Sequence, residues 1–159
     1  MSTPPRPQVQ TIAPIRVASL TRTIDTFRAQ GAMWTDLLAF LKQHNIQAAG
    51  PRQAIVHSCN APDIVVEICV PISENVEMPV NNQGVRAYTL EGIKAVVGEL
   101  VGPMQNVSEV HEAVARWARE HKFAVTGPVR EVYKRIPMGE EGAEDVGWDL
   151  VEVEVQLPI

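Results

Sequence analysis

His44-Asn45-Ile46-Gln47-Ala48-Ala49-Gly50-Pro51 returns 77 residues later as His121-Lys122-Phe123-Ala124-Val125-Thr126-Gly127-Pro128. A second pair of stretches lies 87 residues apart: Val65-Val66-Glu67-Ile68-Cys69-Val70-Pro71-Ile72 and Glu152-Val153-Glu154-Val155-Gln156-Leu157-Pro158-Ile159. Each copy reads as a helix end, a Gly-Pro break, a strand, and then a strand that closes on Pro-Ile. A helix–strand–strand order used twice predicts a duplicated α+β unit. Halves of this kind are expected to be pseudo-symmetric and to leave a cleft between them that suits a ligand.

Working outward, Gly31–Asn45 is expected to be helical, because Trp34, Leu37, Leu38 and Leu41 recur at three- and four-residue spacing. Gly50-Pro51 ends it with a backbone break and a residue that cannot donate to a ladder. Strands follow near Gln53–Cys59 and Ile64–Pro71, joined by a turn at Asn60-Ala61-Pro62-Asp63. Residues 73–84 read as a polar crossover containing Pro79, Asn81, Asn82 and Gly84, with Tyr88 just beyond it. The second copy opens with a strand at Lys94–Leu100, then Gly102-Pro103-Met104 and a helix with Ser108 as its expected N-cap. On that helix Val110, Val114, Trp117 and His121 share a face, and His111 reads as a surface residue. Strands near Val129–Ile136 and Trp148–Leu157 flank an acidic loop, Gly139–Asp145.

The fold class expected is therefore α+β: duplicated βαββ units forming antiparallel sheets, with helices on one face and a ligand groove on the other. Residues 1–11 are expected to be a flexible tail, since Pro4, Pro5 and Pro7 crowd its start. Residues 12–159 form the domain, with repeat halves at about 12–72 and 85–159. Alternation places Val151, Val153, Val155 and Leu157 toward the helices, as it does Val66, Ile68 and Val70. Glu67 and Glu154 then lie on the opposite face, where a strand carboxylate is ordinarily solvated. Putting Ile55 and Val132 toward the helices leaves Glu131 and Tyr133 facing away from them, with Ala54 and Val56 as their repeat partners.

Composition narrows the function. The formal charge of −5 and an aromatic content of 5% argue against nucleic-acid binding, which needs cationic side chains and stacking surfaces. A cationic small molecule fits that charge better. No apolar run reaches the ~18–20 residues that span a bilayer. Cys59 and Cys69 are too few for a disulfide framework, which points to a reduced, cytoplasmic compartment. No glycine-rich phosphate loop, nucleotide fingerprint or Ser-His-Asp arrangement occurs. His57, Cys59 and Cys69 lack the paired spacing of a zinc site, so neither cofactor nor metal is expected. His44 and His121, at matching helix ends, are expected to bond the last carbonyls.

Taken in order, these stretches resemble the GyrI-like small-molecule-binding domain, which also serves as the effector-binding domain of MerR- and AraC-type regulators. The resemblance is carried by Gly127-Pro128-Val129-Arg130-Glu131-Val132-Tyr133 and by Gly147-Trp148-Asp149-Leu150-Val151-Glu152-Val153-Glu154-Val155. Trp34–Leu41 through Gly50-Pro51, Gly98–Pro103 and Asp63–Pro71 support it, from about Ile15 to the C-terminus. It implies a central groove in which Glu131 is the anionic anchor for a cationic or aromatic ligand. Tyr133 and Trp148 match positions near that pocket, Met104 would add apolar wall, and Tyr88, by its place at the crossover, is expected to cap the groove. Met104 departs from the family, many of whose members have an aromatic residue there. Some relatives hydrolyse cyclopropane-type electrophiles with the corresponding glutamate, and another inhibits DNA gyrase. A hydrolase using Glu131 to activate water, and a protein-interaction module, are accordingly the alternative readings. Only about ten residues precede the expected domain, too few for a DNA-binding helix-turn-helix, so a free-standing domain is expected, with a protein partner or homodimer left open.

Overall fold

The computed structural model describes residues 6–60, 62–79, 82–137 and 148–159. The acidic loop 139–145, Gly147, Ala61 of the expected turn, Asn81 of the crossover and the first five residues lie outside the described residues. The fold is α+β. Among the described residues eight strands and two α-helices run in the order β1 (Gln8–Ile12), β2 (Ile15–Ile24), α1 (Gln30–Gln43), β3 (Arg52–Asn60), β4 (Asp63–Pro71), β5 (Arg86–Leu90), β6 (Ile93–Gly102), α2 (Val107–Glu120), β7 (Arg130–Arg135) and β8 (Val151–Pro158). They form two compact units, Pro14–Glu91 and Met1–Ala13 with Gly92–Ile159.

In the Pro14–Glu91 unit the strands lie in the order β3-β4-β2-β5, every pairing antiparallel. The helix α1 buries Met33, Trp34, Leu37, Phe40 and Leu41, a stripe of three- and four-residue steps that packs on β2 and β4. Each such side chain contributes about 1.5–3 kcal/mol by leaving water. Two contacts fix which sheet face α1 covers. The Arg22 guanidinium lies 2.8 Å from the Asp36 carboxylate, and that of Arg52 lies 5.7 Å from the Trp34 ring centre. Arg22 stands opposite Val66, and Arg52 is two residues from Ala54, which stands opposite Ile68. Val66, Ile68 and Val70 therefore face α1, as alternation predicts. Val17, Ile55, Cys69 and Leu90 form an apolar cluster on the other face, joined by Ile15 and Tyr88.

The other unit has the order β1-β6-β8-β7, again antiparallel. Its helix α2 buries Val110, Val114 and Ala118, at four-residue steps, against β6 and β8. Gly98 makes that approach possible: a Cβ there would lie 2.7 Å from Val114 Cγ1 and 3.0 Å from Val110 Cγ1. Gly102 has φ +147°, a conformation open to glycine, and hands the chain through Pro103 to a single 3-10 turn at Met104–Asn106. α2 enters through that turn and starts at Val107, so Ser108 sits inside the helix and is not its N-cap.

The echoed sequence has a matching physical explanation in both units. Asn45 (φ 54°) and Lys122 (φ 60°) are left-handed residues just past the helix ends. Asn45 and Ile46 donate to the carbonyls of Lys42 and Leu41, and Lys122 and Phe123 donate to those of Arg119 and Ala118. Both are Schellman caps. Ala49 then donates to Pro71 O at 2.7 Å and Thr126 to Pro158 O at 3.0 Å, locking each Gly-Pro break onto the final proline of β4 or β8.

Two strands depart from the sequence reading. Gln8–Ile12 is not part of a flexible tail but pairs along its whole length with β6, Gln8 opposite Val97 and Ile12 opposite Ile93. Residues 86–90, beyond the crossover, pair with β2, Val17 opposite Tyr88. Each repeat is thus ββαββ, and its first strand pairs with the second strand of the other repeat. Neither five-residue strand has enough alternation to be seen without its partner.

Candidate functional site

Two carboxylates withdrawn from solvent, Glu131 in one unit and Glu67 in the other, collect histidine and tyrosine side chains. Glu131 comes from β7, where it stands opposite Val155, and Val155 stands opposite Gly98. Gly98 is the residue that α2 covers, so Glu131 lies on the helix side of its sheet. This corrects the face expected from alternation. Over Arg130–Tyr133 the strand is withdrawn from water on both sides (Val132 and Tyr133 are each 7% exposed), and each face mixes polar and apolar residues, so alternation offers no apolar face from which to choose. Its neighbour on that side is His111 of α2, whose Nε2 is 2.7 Å from Glu131 Oε2. Tyr133, two residues along the same face, donates its hydroxyl to Glu131 Oε1 at 2.7 Å. His111 is therefore not a plain surface residue; its side chain is 30% exposed and that of Glu131 16%. Burial pushes the Glu131 carboxyl upward, but the hydrogen bonds from His111 and Tyr133 and the imidazole charge more than offset it, holding the pKa below the usual carboxylate value.

The second carboxylate is Glu67 of β4, on the face away from α1. It is 4% exposed rather than solvated, and so is Glu154 largely buried at 9%. Ser19 donates to Glu67 Oε2 at 2.6 Å, and the Tyr88 hydroxyl donates to the same oxygen. His57 Nε2 lies 2.8 Å from Oε1, and Cys69 Sγ 3.6 Å from Oε2. Burial again pushes this carboxyl up, and the bonds from Ser19, Tyr88 and His57 outweigh it, so its pKa is lowered.

Glu67 and Glu131 are not repeat equivalents. By the repeat, Glu67 corresponds to Glu154, and His57 corresponds to Lys134. Those correspondences are real in three dimensions. Register shifts fall between Val56 and Ser58 and between Tyr133 and Arg135, so His57 and Lys134 are the extra residues of matching β-bulges. Each bulge turns a nitrogen toward the paired glutamate: His57 toward Glu67, and Lys134 Nζ to 3.2 Å from Glu154 Oε1 and 3.4 Å from Glu99 Oε1. Burial draws the Lys134 ammonium pKa down, but Glu154 and Glu99 outweigh that and leave it raised. The shared offset of His57 and Lys134 was present in the sequence, but nothing there marked either as a bulge.

The other expected site residues divide between the units. Met104, half-buried, donates its backbone N–H to Trp148 O at 2.8 Å, which ties the α2 entry to the start of β8. Trp148 is 51% exposed, as are Leu150 (55%) and Val101 (64%). Tyr88 belongs to the Glu67 cluster. His121 acts at its helix end as expected, with Nδ1 2.8 Å from Trp117 O and its ring stacked 3.8 Å from that indole, whereas the His44 ring packs on Phe40, centroids 4.5 Å apart, and its buried Nε2 bonds no carbonyl among the described residues. Among the described residues no group of three or more His, Cys, Asp or Glu side chains is arranged to hold a metal ion, and no helix is long and apolar enough to cross a membrane.

The GyrI-like small molecule binding domain matches residues 5–159 of this chain. No curated protein matches it in sequence. Among solved structures, the C-terminal domain of EcmrR superposes with a TM-score of 0.77 at 15% identity, covering 96% of each chain. A hydrolase from Listeria innocua superposes with a TM-score of 0.61 at 10% identity, over 96% of this chain and 91% of the other. SAV2435 bound to tetraphenylphosphonium superposes with a TM-score of 0.58 at 14% identity, over 97% and 93%. At these identities the likeness is one of fold.

Proposed function

The chain belongs to the GyrI-like small molecule binding domain family, and on that premise we propose that it holds an amphipathic organic cation with Glu131 as the anionic anchor. The observation that carries this reading is a carboxylate withdrawn from water yet kept ionised. Glu131 has a side chain 16% exposed and a lowered pKa, with His111 and Tyr133 fixing both oxygens. A unit cation 4 Å from such a group gains roughly 4 kcal/mol at an intermediate dielectric, against about 1 kcal/mol in bulk water. Much of the difference is then spent on stripping water from the ligand. A delocalised cation with apolar substituents loses least, which is why the amphipathic class suits this anchor. SAV2435, of similar fold, has been solved with a ligand of this kind, tetraphenylphosphonium.

Tyr133 supplies an aromatic wall whose hydroxyl is already committed to Glu131. Trp148 and Met104, tied together through the backbone, offer a further indole face and a thioether at the end of the same unit. A methionine adapts to irregular ligand shapes in place of an aromatic wall. The lowered pKa bears on the hydrolase alternative as well. It makes Glu131 a weaker base than an ordinary carboxylate, which favours an anchor over a water-activating group.

Titration calorimetry with tetraphenylphosphonium tests this reading. Glu131→Gln keeps the shape and one acceptor oxygen but removes the charge. It is expected to weaken binding at least tenfold, about 1.4 kcal/mol. Equal affinity of the two proteins would take Glu131 out of the site.

A further inference from the structure

The Glu67 cluster contains a cation that the chain supplies itself. Arg86 and Tyr88 are both on β5, and the Arg86 guanidinium carbon lies 5.0 Å from the centre of the Tyr88 ring. Arg86 Nη2 is also 3.9 Å from Glu67 Oε2, the oxygen that accepts the Tyr88 hydroxyl. A planar cation thus rests on an aromatic face backed by a buried carboxylate. The carboxylate of the seat is buried, with Glu67 5% exposed at its side chain, and Tyr88 is half-buried, whereas the occupant is 64% exposed. Beneath it lie Val17, Ile55, Cys69 and Leu90, with Ile15 at the margin.

The components reinforce one another. A phenol that donates to a carboxylate gains electron density in its ring, and a cation above the ring is attracted by that density. Burial and the neighbouring Glu67 raise the Tyr88 pKa, so the hydroxyl keeps its proton and remains the donor. Ser19 and His57 hold the carboxylate from its other sides, so the seat does not need Arg86 in order to form. An exposed arginine gains only ~0.5–1 kcal/mol from such stacking and is readily displaced.

We propose that the Tyr88–Glu67 face is a second cation-binding site, distinct from Glu131, for a planar delocalised cation of the amidinium or guanidinium class carrying an apolar group, and that Arg86 occupies it as an internal stand-in. The ligand's charged plane replaces the Arg86 guanidinium over Tyr88, and its apolar part covers Ile15 and Leu90. All residues of the site belong to the Pro14–Glu91 unit, whereas Glu131 belongs to the other.

The test is calorimetric titration of benzamidinium into the full chain, in the wild-type protein and in a Glu131→Gln background that removes the other anchor. In both, Arg86→Ala is expected to tighten binding about two- to fivefold, the worth of one exposed stacked guanidinium. Tyr88→Leu is expected to weaken it about tenfold or more while circular dichroism stays native. Arg86 is on the surface, so its removal leaves the fold intact and the result readable even if a Tyr88 variant unfolds. Unchanged or weaker binding in Arg86→Ala would overturn the proposal, as would loss of all binding with Glu131→Gln, which would assign the ligand to Glu131 alone.

Discussion

Replacing Gly98 with alanine probes how closely α2 must lie on its sheet. In an unstrained position with free space, this change stabilises by about 0.4–1 kcal/mol, because the unfolded chain loses more freedom with glycine. Gly98 has no positive φ, so that gain is available. Space is what opposes it. The added methyl would sit 2.7 Å from Val114 Cγ1 and 3.0 Å from Val110 Cγ1, when carbon atoms pack best at about 3.5–4.0 Å. Valine in a helix is held to one rotamer, so neither side chain swings away cheaply. The remaining route is for α2 to lift. Overpacking of this sort costs about 1–3 kcal/mol, which exceeds the entropic gain. The net loss of up to about 2.6 kcal/mol, at roughly 2–4 °C per kcal/mol for a chain of this size, should lower the melting temperature by up to roughly 10 °C. The same lift draws His111 away from Glu131, now 2.7 Å apart, so affinity for an organic cation should change along with stability. Differential scanning calorimetry of Gly98→Ala, Val114→Ala and the double variant separates the two effects. Val114→Ala removes the clashing methyl, so the double variant should be more stable than the sum of the singles by about 0.5–3 kcal/mol. An unchanged melting temperature in Gly98→Ala, with strict additivity, would refute the close-packing account.

Two further perturbations follow from the same geometry. Glu131 and Glu67 both have lowered pKa values in the folded protein, so as pH falls the unfolded chain takes up protons first. Their contribution to stability is complete above the unfolded carboxylate range near pH ~4.3 and is lost as pH falls through the folded values. Urea denaturation from pH 7 to pH 3 should show this loss, and Glu131→Gln should flatten the curve; a Gln variant with the wild-type slope would count against it. Lys122 holds φ 60° at the α2 cap, a conformation that costs a side-chain-bearing residue about 1–2 kcal/mol. Lys122→Gly should raise the unfolding free energy by about 0.5–1 kcal/mol in the same assay, and a loss of stability would show that the lysine side chain contributes more than the cap strain costs.

The duplicated Gly-Pro and Pro-Ile signatures were legible because their physics is local. A helix stripe such as Trp34, Leu37 and Leu41, a Gly-Pro break, and a proline that stops a ladder each act within a few residues; the left-handed caps at Asn45 and Lys122 emerged only with the structure. The faces of β4 and β8 were legible for the same reason, since Val66-Glu67-Ile68 and Val153-Glu154-Val155 alternate cleanly. Where alternation was not informative, as in Ala54-Ile55-Val56 and Glu131-Val132-Tyr133, the repeat matched the right residues to one another and could not say which way they faced. Glu67 read as a solvated strand glutamate because its donors come from Ser19, His57 and Tyr88, on three other strands.

The α+β class, the duplication, the two helices and the family to which the chain belongs could all be read from the residues alone, but the helix caps could not: α2 starts at Val107, with Ser108 inside it. Long-range pairing makes strands of Gln8–Ile12 and Arg86–Leu90, bulges His57 and Lys134 toward buried glutamates, and sets Glu131 beside His111 under α2. The physical reason is that strand pairing is settled between segments far apart in the chain. One inserted residue or one register choice exchanges the two faces of a strand, and the strand's own residues do not record which choice was made.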